Sequence, residues 1–328
     1  MLQLTWSWQP ALYLFLGGMG AGAFVMAAVL FLIDRTKHRL IVCVSMWAAL
    51  VSLAVGLLLL LTELITPARG LIMWQSFGHF TSWMTYGAWG AFAAMAVFAV
   101  SALLATRPVG VWLAKKWKWF GKNGIALRRV LAVVGIALGA FVAVYTGMLL
   151  MSAGSVPLWD TPLLPLLFTV SAFDTGVALV ELVAVAAAKK DPLAPKARTL
   201  MERVVVVLVV VEMLVLAAFL ASMLGGDVQT AIGATGAASA ELLTTGGLAA
   251  CFWGMVVACG LVLPLVMAVA SLVLHKRDKK QGKKRAFGPL MALGAVGALI
   301  GGCELRFLIL AAGIHADVIT ETVMSLIG

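Results

Sequence analysis

The chain has 328 residues, 63% of them hydrophobic and only 12% charged, with a formal net charge of +10. A soluble domain is roughly half apolar and a quarter charged, so the composition excludes one and reads as an all-α integral membrane protein. Such a basic excess suggests nucleic acid in a soluble protein; here it lies almost wholly in the links between apolar segments, where topology explains it and no nucleic-acid partner is implied.

Eight apolar runs are long enough to cross a ~30 Å hydrocarbon core as helices of roughly 20 residues. They lie near 11–33, 40–64, 81–105, 129–152, 163–188, 203–224, 247–274 and 289–313. The first has no basic residue before it and no obvious A-x-A site, so it does not read as a cleavable signal sequence. Arg35, Lys37 and Arg39 follow it. Link 3–4 carries seven Lys or Arg between Arg107 and Arg129, link 5–6 carries Lys189, Lys190, Lys196 and Arg198, and link 7–8 runs HKRDKKQGKKR from His275. The other links hold only Arg69. Under the positive-inside rule, both termini and the even links face outward.

Segment 1 reads FLGGMGAGAF from Phe15. Small residues at this density let helices approach closely in lipid; a smooth wall beside a flat ligand is the other reading. The stretch from Leu57 to Phe92 gathers Glu63, Arg69, Trp74, His79, Trp83 and Tyr86 at one membrane boundary. Ionisable and aromatic groups crowded there point to an amphipathic ligand and to proton transfer. Link 3–4 interleaves Trp112, Trp117, Trp119 and Phe120 with lysines and reads as an ordinary loop with belt tryptophans, ahead of an interfacial amphipathic helix. The small-residue stretch 225–246 reads as an outer loop.

Five ionisable groups and one phenol fall inside later segments. Asp174 lies ~16 Å below the outer start of segment 5 and Glu181 is two turns further on the same face. Glu212 is near the middle of segment 6, and Tyr145 is in the outer third of segment 4. Buried carboxylates are costly in lipid unless paired, protonated or hydrated. Asp174, Glu181 and Glu212 therefore form either a proton path or a set of structural hydrogen bonds. Glu304 and Arg306, two positions apart, point to different faces and each locks to another helix on this reading.

Cys43, Cys251, Cys259 and Cys303 are scattered without a CxxC pair, whereas an iron–sulphur cluster needs about four clustered thiolates. His79 and His315 sit at helix boundaries, not facing each other within spans. Neither a haem, an iron–sulphur cluster nor another metal centre is expected in this chain.

Several stretches together resemble the NrfD/polysulphide-reductase membrane-subunit family. FLGGMGAGAF is similar to its first-helix glycine stretch. ELITPARGL from Glu63, followed by SWMTYGAWG from Ser82, is similar to its acidic link. YTGMLLMSA from Tyr145 resembles its fourth-helix signature, and GGCELRFLIL from Gly301 its last-helix ending. VPLWDTPLLPLLFTVSAFDTG from Val156 is the most specific match. The link reads ELITP where members often carry an Asp-Leu-Gly-Arg-Pro form, so one usual arginine is missing, and segment 1 holds no asparagine or histidine.

The resemblance implies eight transmembrane helices in two four-helix bundles, 1–152 and 153–328, in the inner (cytoplasmic) membrane. It implies a quinone site, for menaquinone or ubiquinone, near the outer surface of the first bundle. It also implies a ferredoxin-like iron–sulphur subunit and a molybdopterin catalytic subunit docked on the outer face. Tyr145 is then a quinone contact, and Glu63 and Arg69 belong to the pocket rim. Position and chemistry add His79 as base beside Glu63, with Trp83 and Tyr86 near the ring. A secondary transporter or proton-conducting protein built on Asp174, Glu181 and Glu212 is the alternative, although no inverted repeat is visible.

Overall fold

The computed structural model describes residues 8–34, 37–62, 83–227, 229–281 and 288–316. Eight of its helices are long and apolar enough to cross a membrane: span 1 (Trp8–Ile33), span 2 (Arg39–Thr62), span 3 (Thr85–Ala105), span 4 (Lys118–Met151), span 5 (Leu163–Ala187), span 6 (Pro195–Leu224), span 7 (Ala249–His275) and span 8 (Gly288–Ala311). In lipid the backbone must satisfy its own polar groups, which leaves helices as the solution for segments this apolar.

Spans 4 and 6 start earlier than hydropathy suggests. Span 4 is helical from Lys118 and span 6 from Pro195, which occupies the first turn where a missing N–H costs nothing. Hydropathy falls where charges begin, but the helical hydrogen bonds run on past the apolar core. For the same reason link 3–4 is not a loop. Arg107–Lys116 is a helix with no buried residue, and it turns at Trp117 into span 4. Trp112, Trp117 and Trp119 are all exposed. The 225–246 stretch likewise contains a helix, Ala231–Thr244, whose N-cap Thr230 accepts a hydrogen bond from Gly233 N.

Spans 1 to 4 touch in the order 1–2, 2–3, 3–4 and 4–1; spans 5 to 8 close in the same way, 5–6, 6–7, 7–8 and 8–5. Spans 1 and 5 meet across the seam between these rings. Glycine makes that seam. A Cβ on Gly18 would stand 3.0 Å from Ala172 Cβ, and one on Gly22 would run into the Ala172 carbonyl. Gly176 abuts the backbone of Gly22 in return, so two small-xxx-small pairs cross. Gly20 faces the opposite way, where a Cβ would stand 2.8 Å from Ala49 O of span 2. The packing role expected of the first-segment glycines is what the structure holds.

The links are tied on the side that carries most Lys and Arg, called here the basic side. Asp191, between spans 5 and 6, accepts hydrogen bonds from Leu40 N (2.8 Å) and Ile41 N (3.3 Å) at the start of span 2. Trp47 donates to Thr106 Oγ1 at 3.0 Å. At the other side Trp159, 1% exposed, donates to Ile309 O at 2.9 Å and anchors the link before span 5 to the end of span 8. Span 7 contains an 11-residue π-helical stretch, Phe252–Val262, where Gly260 passes directly over Gly301 of span 8.

Candidate functional sites in the membrane

Two sets of polar side chains lie inside the helical layer, one in each ring of spans. The first is built on Tyr145. Six residues from the end of span 4, it stands roughly 9 Å inside the side opposite the basic links. It is buried, and its ring lies parallel to Phe141 with centroids 6.2 Å apart. Both rings lean on span 3, where Gly87 and Gly90 are one turn apart. A Cβ on Gly87 would overlap the Tyr145 ring, and one on Gly90 would overlap Phe141.

Tyr13 of span 1 enters the same layer, within electrostatic reach of Tyr145. It is 3% exposed, with its ring edge 3.4 Å from where a Cβ of Gly56 in span 2 would sit. Spans 1 to 4 therefore contribute Tyr13, Gly56, Gly87 and Tyr145 at one depth: two rings and two gaps that receive them. No hydrogen bond joins either phenol hydroxyl to another described residue. One turn outward, Trp83 stands four residues before Gly87 and Tyr86 four before Gly90; both are exposed, and their rings are 6.2 Å apart. Glu63, Arg69 and His79 lie outside the described residues.

The second set joins spans 5, 6 and 8. Asp174 (2% exposed) and Glu212 (4%) lie within electrostatic reach of each other and of Arg306 on span 8. Arg306 is fully buried. It donates to Ser171 Oγ (2.6 Å), Gly302 O (2.7 Å) and Phe168 O (3.3 Å), with its guanidinium 5.1 Å from the Phe168 ring centre. The expected lock of Arg306 onto another helix is thus made to span 5. Glu304 is half-buried and makes no hydrogen bond to another span among the described residues.

Glu181 lies two turns from Asp174 toward the basic side, and both line one narrow cavity between spans 5, 6, 7 and 8. Glu202 lines it too. It is 1% exposed, paired with Arg198 at 2.8 Å and bonded to Ser271 Oγ. The structure therefore brings Asp174 together with Glu181 on one side and with Glu212 on the other.

Sequence reading missed two of these residues. Tyr13 is passed over when segment 1 is searched for asparagine or histidine, although a phenol also donates and accepts hydrogen bonds. Glu202 is hidden because it falls just before the 203–224 segment, between Arg198 and Arg203, and reads as a solvated link charge. Among the described residues, no group of three or more His, Cys, Asp or Glu is arranged to hold a metal.

Comparison with known proteins adds to this geometry. A family model described as polysulphide reductase, NrfD, matches residues 1–316. The chain belongs to that family. It is 31% identical to the C subunit of polysulfide reductase from Wolinella succinogenes, the alignment covering 94% of each protein. It is 28% identical to protein NrfD of Escherichia coli, over 94% of this chain and 95% of the other. The chain is thus an NrfD-family multi-pass membrane protein. Its YTGMLLMSA stretch supplies the buried Tyr145, and its GGCELRFLIL stretch supplies the buried Arg306.

Proposed function

We propose that this chain is the membrane anchor of a molybdopterin/iron–sulphur oxidoreductase. It exchanges electrons between membrane quinol, menaquinol or ubiquinol, and an iron–sulphur subunit on the outer face of the inner membrane. Both termini lie outside and the basic links are cytoplasmic. Spans 1 to 4 form the quinol-handling bundle, residues 1–152, and spans 5 to 8 a second bundle, residues 153–328.

The observation that carries this reading is the Tyr13–Tyr145 layer: two buried phenols free of hydrogen bonds to described residues, near the side of the first ring opposite the basic links. A quinol has an apolar ring and tail with two hydroxyls, so it needs an apolar cleft with two polar contacts. The phenols fit that need. Quinol supplies two electrons and two protons, and the residues handle binding and proton transfer. Tyr145 and Tyr13 orient the ring by hydrogen bonding. His79 and Glu63 accept protons, Arg69 holds the rim, and Trp83 and Tyr86 guide the ring at the mouth. Asp174, Glu181 and Glu212 carry protons through the second bundle, since buried carboxylates inside membrane helices serve proton relays.

The test compares two electron donors in the purified complex. Tyr145→Phe is expected to depress quinol-driven turnover while an artificial donor that reduces the partner subunits directly works normally. Equal loss with both donors means that Tyr145 holds the complex together and does not touch quinol.

A further inference from the structure

Glu202 carries a feature that a lock between helices does not need. Three short contacts converge on its cluster: Arg198 Nε to Glu202 Oε1 (2.8 Å), Arg198 Nη2 to Ser271 Oγ (2.7 Å) and Ser271 Oγ to Glu202 Oε1 (2.5 Å). Both donors to the carboxylate therefore share one oxygen. The other, Oε2, is buried without a partner, and so is Asp174 Oδ1. Asp174, Glu181, Glu202 and Ser271 line the same cavity. A structural pair would satisfy both oxygens, because leaving one desolvated is costly. Here the spare oxygen belongs to a residue that lines the same cavity as Glu181.

Glu202 and Glu181 lie at one level, and Asp174 lies deeper. At ~1.5 Å per residue, Glu202 lies about 10 Å from the basic end of span 6, Glu181 about 9 Å from that end of span 5, and Asp174 about 20 Å. The cavity has about 10 Å³ for the centre of a water molecule, room for roughly one. The polar groups lining it are Asp174 and Glu181 from span 5, Glu202 from span 6 and Ser271 from span 7, the last two held by Arg198 from behind; span 8 lines it with apolar residues such as Met291 and Gly294. Glu181 is within electrostatic reach of both Glu202 and Arg198. The side chain of Arg198 is 15% exposed while that of Glu202 is 2% exposed, so the guanidinium stands between the carboxylate and the basic surface.

We propose that Glu202 is the basic-side terminus of the proton path, and that the Arg198–Ser271 clamp on its one oxygen controls proton exchange with Glu181 through the shared cavity. This rests on the reading of Asp174, Glu181 and Glu212 as a path. Each step is a proton transfer alone: the O–H bond of one carboxyl breaks as that of the next carboxylate forms, and no electron moves. Arg198 and Ser271 are positioning residues that hold Oε1 still and leave Oε2 to exchange.

The test uses the assembled complex in proteoliposomes with a pH-sensitive dye, read as protons exchanged with the basic side per electron transferred. Glu202→Gln keeps an acceptor for Arg198 and is expected to slow that exchange on the order of a hundredfold, while Glu202→Asp restores it. Normal exchange in Glu202→Gln with loss in Asp174→Asn leaves the path standing and overturns Glu202 as its terminus. Normal exchange in both removes the path, and this inference with it. If Glu202→Gln does not assemble, Ser271→Ala removes a single hydroxyl and is expected to lower the ratio several-fold. An unchanged ratio in assembled Ser271→Ala complex overturns the proposal.

Discussion

The ring of Tyr145 lies against the backbone of Gly87, in the space a methyl group would fill. The position of a span 4 phenol is thus set by the absence of a side chain on span 3. Gly87→Ala is expected to push the ring off span 3, at an overpacking cost of about 1–3 kcal/mol, and to lower quinol-driven turnover. Adding Tyr145→Phe should not relieve the clash, because the ring remains; adding Tyr145→Leu should recover thermal stability in detergent but not turnover. Gly87→Ala protein with unchanged melting and turnover removes the packing argument.

The hydroxyls can be tested apart from the rings. Tyr13→Phe and Tyr145→Phe each delete one oxygen from the layer that spans 1 to 4 share. Each is expected to cost about 1–3 kcal/mol where a buried polar partner is left unpaired, about a fivefold to 150-fold loss of apparent quinol affinity. His79→Ala is expected to act in the same direction through proton acceptance. The measurement is the quinol concentration dependence of turnover. A normal curve for Tyr13→Phe removes span 1 from the site.

Much of this arrangement is legible in the amino-acid order itself. Runs of 20 or so apolar residues have few alternatives in lipid, and the links alternate in Lys and Arg, so the eight spans follow. Contacts across the seam do not. Gly18, Gly22, Ala172 and Gly176 look alike in sequence to glycines that touch nothing, such as Gly254. Tyr13 becomes notable only because span 4 brings Tyr145 beside it, 132 positions away by subtraction. Glu202 gains its meaning from Ser271, on a helix 69 positions further along. Local pattern reports which residues enter the membrane; which of them meet depends on packing that spacing alone does not encode.

Topology is open to a direct check, since the whole functional reading needs the Tyr13–Tyr145 layer outside. In a protein freed of its four cysteines, single cysteines at the exposed positions Asp160 and Ile232 are expected to react with an impermeant maleimide added from outside. Cysteines at exposed Trp117 and Lys118 should react only after the membrane is opened. The reverse pattern moves the quinol site to the cytoplasmic side and ends the proposal of an outward partner.

Arg306 is the residue on which the second ring turns. It is fully buried, donates to Ser171 and Phe168 of span 5 and to Gly302 of its own span, and sits within reach of Asp174 and Glu212. Space for it is left by Gly18 and Gly302, where added methyls would stand 3.7 and 3.4 Å from its terminal nitrogens. Lysine is a point charge on a thin stem and cannot reproduce this fork of donors over the Phe168 ring. Arg306→Met strips the donors from Ser171, Phe168 and Gly302 and takes away the positive charge near Asp174 and Glu212, at a cost of about 1–3 kcal/mol for each buried group left unpaired, a large share of the roughly 5–15 kcal/mol that holds a typical protein folded. Arg306→Met is therefore expected to fail to accumulate, or to melt far below the parent on size-exclusion chromatography of heated samples. Arg306→Lys should fall between them. Pairing Arg306→Met with Glu212→Gln removes a carboxylate along with its partner, and is expected to recover part of the loss. If Arg306→Met alone melts like the parent, the guanidinium is not what joins spans 5, 6 and 8, and the charge balance of the Asp174–Glu212 pair must come from elsewhere.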